Sequence, residues 1–264
     1  MNLLNKFRSI LIETLSRQKN QGLLKANELI RHQVLSDFIN NIYSAENLPL
    51  DIVKQNLESS VLEIIYSNGQ HSSCGVLITT DGYFLTCYHC VNKDLDDLSI
   101  VLHDSSVYSD LKLCAYSKAY DIALVKAPIP VPAQAIKYPF YVHKKLNQAV
   151  KTESTLALTM TRRDGKLVIF GGLSEGNVSD SLKLHKGGLY QKQIRYESAS
   201  QPGDSGGIIV RLADLKVCGL NSLKDIDGSA GFYAQWHNAI ELISRYKANS
   251  KTDQRWSVFL RLFP

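Results

Sequence analysis

A serine set among glycines is the first candidate for chemistry, and the chain has one in Gln201-Pro202-Gly203-Asp204-Ser205-Gly206-Gly207. The glycines permit a tight backbone whose N–H groups can converge beside the Ser205 hydroxyl, where they would hold an oxyanion. Taken alone, the same run also fits a glycine-rich turn between strands. A serine hydroxyl is inert without a base. Of seven histidines, His89 lies in Leu85-Thr86-Cys87-Tyr88-His89-Cys90-Val91, at the end of one arm of a predicted hairpin. An imidazole base needs a carboxylate on its other nitrogen, to fix the tautomer and stabilise the imidazolium. Asp121 opens the apolar run Ile122-Ala123-Leu124-Val125. There it could sit buried and paired, whereas burial without a partner would be costly. The other six histidines receive no role.

The elements that must position these residues are mostly strands. From about Ser60, short β-rich runs alternate with turn residues: 61–66, 76–80, 83–86, 98–102, 111–115, 122–125, 155–161, 167–170, 190–196, 208–212, 216–220 and 231–234. Asp81-Gly82 marks a hairpin between two of them. Roughly a dozen strands at this spacing predict a barrel or sandwich. Residues 236–246 return to helical period through Ile240, Leu242 and Ile243. Residues 1–58 read differently. Leu3, Leu4, Phe7, Ile10, Leu11 and Leu15 recur at helical spacing, a second stripe runs from Leu23 to Ile42, and no glycine falls between Gly22 and Gly69. This predicts an N-terminal helical region. It would pack on the β structure, dock a partner, self-associate or cover the cleft.

Composition excludes several classes. The 264 residues carry 30 Lys and Arg against 25 Asp and Glu, interspersed, with no basic run longer than pairs such as Arg162-Arg163. This predicts a solvated surface and no nucleic-acid partner. No run approaches the length of a membrane span. Five cysteines, an odd number, do not make a disulfide framework. Residues 1–8 carry no secretory signal, so the expected location is cytoplasmic, or outside by a signal-independent route.

T-x-x-H-C at Thr86–Cys90, D-I-A-L at Asp121–Leu124 and G-D-S-G-G at Gly203–Gly207, in that order, resemble the three motif blocks of chymotrypsin-like serine proteases. The spacing of His89 and Asp121, the Asp-Gly hairpin and the Pro-Gly before Asp204 resemble the HtrA-type branch. The likeness covers about residues 60–248. It implies a mainly β fold of two six-stranded antiparallel barrels, about 59–137 and 138–235, with a C-terminal helix and tail at 236–264. It also implies Ser205 as nucleophile, His89 as general base and acid, Asp121 orienting His89, and the N–H groups of Gly203 and Ser205 as oxyanion hole. Ser222 resembles the edge that pairs with substrate backbone. Ala199, Gly231 and Tyr233 resemble parts of the specificity pocket. The substrate would be a protein or peptide, and no metal or organic cofactor is implied. Cys74 and Cys90 sit where that family often carries a disulfide, though in a reducing compartment both would be thiols.

Three departures stand out. No segment resembles the new N-terminus that cleavage frees in digestive relatives to pair with the Asp before the serine, so Asp204 needs another partner or activation differs. Ala199 replaces the Asp of trypsin-type pockets, which argues against an Arg or Lys preference. About sixty residues follow Ser205, too few for the PDZ domain usual in the HtrA-type branch.

Three rival readings compete with this one. Gly203–Gly207 also fits the G-x-S-x-G elbow of α/β-hydrolases, with Asp225 or Asp227 and His237 as partners. That elbow should lead into a long helix, and the sequence after it reads as a β-hairpin. A catalytically silent binding module would usually lose one of the three key residues. Cys87-x-x-Cys90 with His89 between suggests zinc, but a structural site wants a second ligand pair.

Overall fold

The computed structural model describes residues 57–92, 94–130, 155–179, 182–183, 189–190, 193–198, 200–211, 216–224 and 231–249. The expected N-terminal helices and the tail after the last helix lie outside the described residues, as do the expected barrel boundary and Ala199.

The first lobe comprises β1 (Val61–Tyr66), β2 (His71–Leu77), β3 (Tyr83–Thr86), the one-turn helix α1 (Tyr88–Val91), β4 (Leu98–Val101), β5 (Val107–Tyr108), β6 (Lys112–Ser117) and β7 (Ile122–Lys126). The second contains β8 (Thr155–Arg163), β9 (Lys166–Ser179), β10 (Leu182–Lys183), β11 (Leu189–Tyr190), β12 (Gln193–Ser198), β13 (Ile208–Arg211), β14 (Lys216–Lys224) and β15 (Gly231–Gln235). Helix α2 (Trp236–Asn249) follows. Among the described residues no helix is long and apolar enough to cross a membrane.

Pairing in the second lobe runs β12-β15-β14-β13-β8-β9 and returns from β9 to β12, a closed ring of six. The first lobe departs from the expected six-stranded barrel. It is a seven-stranded antiparallel sheet in the order β5-β4-β1-β2-β3-β7-β6. Among the described residues its two edge strands, β5 and β6, do not pair with each other, and the two-residue β5 pairs with β4 alone. The runs predicted at 61–66, 83–86 and 122–125 fall on strands almost residue for residue. The first half of β2, His71-Ser72-Ser73, was not predicted because it has no apolar face.

Strand alternation explains how the lobes join. In β7, Ile122 and Leu124 point to one apolar cluster, and Ala123 and Val125 to another. In β13, Ile208 and Val210 face one way and Ile209 the other. Side chains on a strand alternate with a period of two, so each strand buries both faces. One face fills the interior of its own lobe. The other meets the opposite lobe in a shared seam that includes Val61, Val76, Leu85, Met160 and Leu220. Helix α2 closes that seam with Trp236, Ala239 and Ile243, three and four residues apart on one helical face. Residues that begin β7 or precede β13 are thereby brought to the junction of the lobes.

Candidate active site

The structure brings His89, Asp121 and Ser205 together. His89 lies on α1, the single turn that follows β3. Asp121 immediately precedes β7 and adopts a left-handed backbone conformation (φ 54°) that Asp tolerates better than most side chains. Its carboxylate is fully buried, and it is well satisfied. Oδ1 accepts the backbone N–H of His89 at 3.0 Å, Oδ2 faces His89 Nδ1 at 2.7 Å, and the Ser222 hydroxyl donates to Oδ2 as well. This leaves His89 Nε2 facing Ser205 Oγ at 3.1 Å. The Ser205 hydroxyl also lies 2.8 Å from the Ser222 carbonyl, a second acceptor for its single proton.

Ser205 sits in a loop held from several sides. Gly206 has φ +86°, and a Cβ there would lie 1.9 Å from the Cys74 carbonyl oxygen, so no other residue fits. The loop then accepts a backbone bond across the seam, Cys74 N–H to Ser205 O, and donates one within its own lobe, Gly206 N–H to Asn221 O, each 2.7 Å. Asn221 is a hub. Its side-chain amide donates to Asp204 O and Ser200 Oγ, both at 2.9 Å, and its Oδ1 accepts from the Tyr196 hydroxyl. At the loop's far end, His71 Nε2 lies 2.9 Å from Gly203 O and His71 Nδ1 lies 2.7 Å from Glu63 Oε1. Both ring nitrogens thus face oxygens, which ties β1, β2 and the Ser205 loop together. The backbone N–H groups of Gly203 and Ser205 donate to no acceptor among the described residues.

Asp204 does have a partner. Its fully buried carboxylate accepts from Arg163 Nε at 3.0 Å and from Arg163 Nη2 at 2.6 Å. Arg163 Nη1 donates to Gln201 Oε1 at 3.1 Å. Arg162, the preceding residue on β8, turns the other way and donates to the carbonyls of Glu58, Val61 and Gly165. The solvated surface expected for this basic pair is therefore corrected: Arg162 is 2% exposed and Arg163 is committed to the loop. Sequence reasoning missed both roles. The available signal was two cations ending an apolar strand, which demand buried partners.

The outlying expectations fare differently. Ser222 lies at a register irregularity of β14 that turns its hydroxyl to Asp121, a contact the sequence did not reveal. Gly231 starts β15. Tyr233 packs edge-on against Tyr196 inside the second barrel, 3% exposed, with ring centroids 5.5 Å apart. All five cysteines are thiols. Cys74 accepts the Arg162 N–H and donates to the Arg162 carbonyl, at 3.3 and 3.2 Å, so the family disulfide to Cys90 is not formed.

Burial alone would push the His89 pKa down. The neighbouring Cys90 sulfur and the Asp121 carboxylate outweigh it and hold the imidazole well above its ordinary value. Burial likewise disfavours a Cys90 thiolate. Hydrogen bonding from Cys87 and the charge on His89 reverse this and hold Cys90 well below the usual thiol range. Cys74, with burial dominant, is pushed far up.

After Ser205 the chain enters β13, which pairs antiparallel with β14. There is no helix where an α/β-hydrolase elbow would require one. A sequence model of the trypsin-like peptidase domain matches residues 73–220, more than half of the chain. The chain is also 24% identical over 201 residues to the Arabidopsis thaliana protein named Putative protease Do-like 14, an alignment covering 72% of this chain and 44% of the relative. The chain thus spans less than half of that relative's length. The matched segment begins within β2 and ends within β14, enclosing His89, Asp121 and Ser205, and on this match the chain belongs to the trypsin-like peptidase domain family.

Proposed function

We propose that the chain is a serine endopeptidase that cuts peptide bonds through an acyl-enzyme on Ser205. The observation that carries this reading is the continuous line of contacts from Ser205 Oγ through the His89 ring to the buried Asp121 carboxylate. Ser205 Oγ attacks the scissile carbonyl carbon as His89 Nε2 takes its proton. The resulting imidazolium keeps its Nδ1–H on Asp121. The carbonyl oxygen, now an oxyanion, is received by the N–H groups of Gly203 and Ser205. His89 then passes the proton to the leaving amine, and the C–N bond breaks. Water, deprotonated by His89, attacks the ester, and the proton returns to Ser205 as the acid departs.

Two features support a ready-made oxyanion hole. Arg163 on Asp204 supplies the cation that digestive relatives obtain from a newly cut N-terminus. His71 on Gly203 O braces the same loop from its carbonyl side. Ser222 serves as a positioning residue for Asp121, and the irregular segment of β14 around it is the stretch proposed to pair with extended substrate backbone. Ala199 and Gly231 are proposed to border the side-chain pocket, with Tyr233 behind it.

A fluorophosphonate probe and cleavage-site profiling on a proteome-derived peptide mixture test the proposal. Labelling and cleavage are expected for the wild type. Ser205→Ala should lose both, with kcat lower by on the order of 10⁶-fold. A folded wild-type chain that neither labels nor cleaves would instead be a protease-fold binding module.

A further inference from the structure

The proposed reaction leaves two cysteines beside the base without a task. Cys87 precedes α1 and is fully buried; Cys90 lies on α1 at 9% exposure. Between them in sequence is His89, whose side chain is 29% exposed. Cys87 Sγ, Cys90 Sγ and a ring nitrogen of His89 all lie within 4.8 Å of one another. Cys90 Sγ is 3.5 Å from His89 Nε2, the nitrogen that faces Ser205.

We propose that Cys87, Cys90 and His89 Nε2 form a capture site for a thiophilic divalent cation such as Zn²⁺, and that the bound ion switches the peptidase off reversibly. The proposal rests on the serine endopeptidase reading for its effect on activity, but not for the binding itself.

Geometry and chemistry agree. Two ligands on a tetrahedral zinc, one sulfur at ~2.3 Å and one nitrogen at ~2.0 Å, stand about 3.5 Å apart, the separation already present here. A metal-ligating imidazole is commonly fixed by a carboxylate on its other nitrogen. Asp121 on Nδ1 provides that, so Nε2, the nitrogen that also faces Ser205, is the one placed to ligate. Metal ligation needs thiolates, and the two sulfurs stand close enough to the ring nitrogen to share one ion once their protons leave. Binding displaces the thiol protons, and Cys87 gives up its donation to the Asn221 carbonyl at 3.1 Å. Water completes the coordination from the exposed side of His89.

Inhibition follows from a count of lone pairs. Neutral imidazole has one available on Nε2. Once a cation takes it, the ring cannot accept the Ser205 proton, and the nucleophile is no longer activated. An ion here is an inhibitor and not a participant in hydrolysis.

The experiment uses the full chain and Co²⁺ as a spectroscopic probe, with Zn²⁺ as competitor. Expected results are a near-ultraviolet thiolate-to-cobalt absorption, its displacement by Zn²⁺, loss of fluorophosphonate labelling with Zn²⁺, and recovery with a chelator. Ser205→Ala should keep the absorption, since Ser205 is not a ligand. Cys87→Ala should weaken Co²⁺ binding by about 10–100-fold or more, at least the cost of losing an outer-shell partner. Cys90→Ala, at the less buried sulfur, serves as an independent second variant. A wild type without thiolate-to-cobalt absorption overturns the proposal, as does absorption unchanged in both cysteine variants. A wild type that never labels but gains the absorption keeps the binding site and removes the peptidase reading. One that labels equally with and without Zn²⁺ keeps the peptidase and removes the switch.

Discussion

Arg163 and Asp204 show how one side chain can govern a loop it does not belong to. Removing one partner of a buried ion pair leaves a charge in a site built for two, typically at a cost of about 3–5 kcal/mol. Arg163 is itself 26% exposed, so water entering the gap recovers part of that cost. Arg163→Ala should lower thermal stability and reduce kcat more than KM, because the loop carrying the proposed oxyanion donors loses its anchor. Arg163→Lys should fall between, keeping the charge but not the forked donors. Thermal denaturation and steady-state kinetics on one peptide check both. A second prediction concerns pH. His89 must be neutral to act as base, and it is held above its ordinary value by Cys90 and Asp121 against the opposing effect of burial. Activity should therefore appear only as pH rises through that elevated ionisation. Cys90→Ala removes one of the two groups responsible, so the acid limb of kcat/KM should move to lower pH. The profile is measured with a chelator present. His89, Asp121 and Ser205 were legible in sequence because each sits in a short motif set by local backbone. Arg163, His71, Asn221 and the Ser222 hydroxyl were not, because each acts across a distance in the chain that only folding closes.

Helix α2 and the strands it covers behave as one unit. Trp236 is 1% exposed and seats the helix against the seam between the lobes. Trp236→Ala should destabilise the protein by about 3–5 kcal/mol, the usual cost of truncating a large buried aromatic. Equilibrium denaturation in urea measures it. Activity should fall at temperatures below the global transition, since Asp121 and Ser205 are carried by strands on opposite sides of that seam. Most strands and α2 could be read from periodicity. β2 could not be read in full, because its first residues serve contacts to Glu63 and the Ser205 loop and show no apolar alternation. The one-turn α1 is too short for any helical period to register. The seven-stranded first sheet differs from expectation because the barrel came from the resemblance, and a run as short as β5 leaves no alternation in the sequence to read.

For the molecule as a whole, the Arg163–Asp204 pair predicts that a free amino terminus is unnecessary. The full chain with its N-terminus blocked by a fused protein should react with a fluorophosphonate as fast as the unfused chain. Slow labelling that recovers when the fusion is cut off would show that Asp204 depends on a terminal amine after all. Two anchors of the fold lie at the start of the described residues: Leu57 is fully buried in the seam, and the Glu58 carbonyl accepts from Arg162. A truncation meant to probe residues 1–56 should therefore begin at Leu57, so that these anchors remain.

Carrying its own cation for Asp204 has a biological corollary. On the proposed reading, the loop before Ser205 is anchored by a cation that the fold itself supplies, so no cut is needed to provide one. Restraint of the proposed activity then needs no new amino terminus, and can act through what reaches the cleft, how much protein is made, or a plug that can be withdrawn.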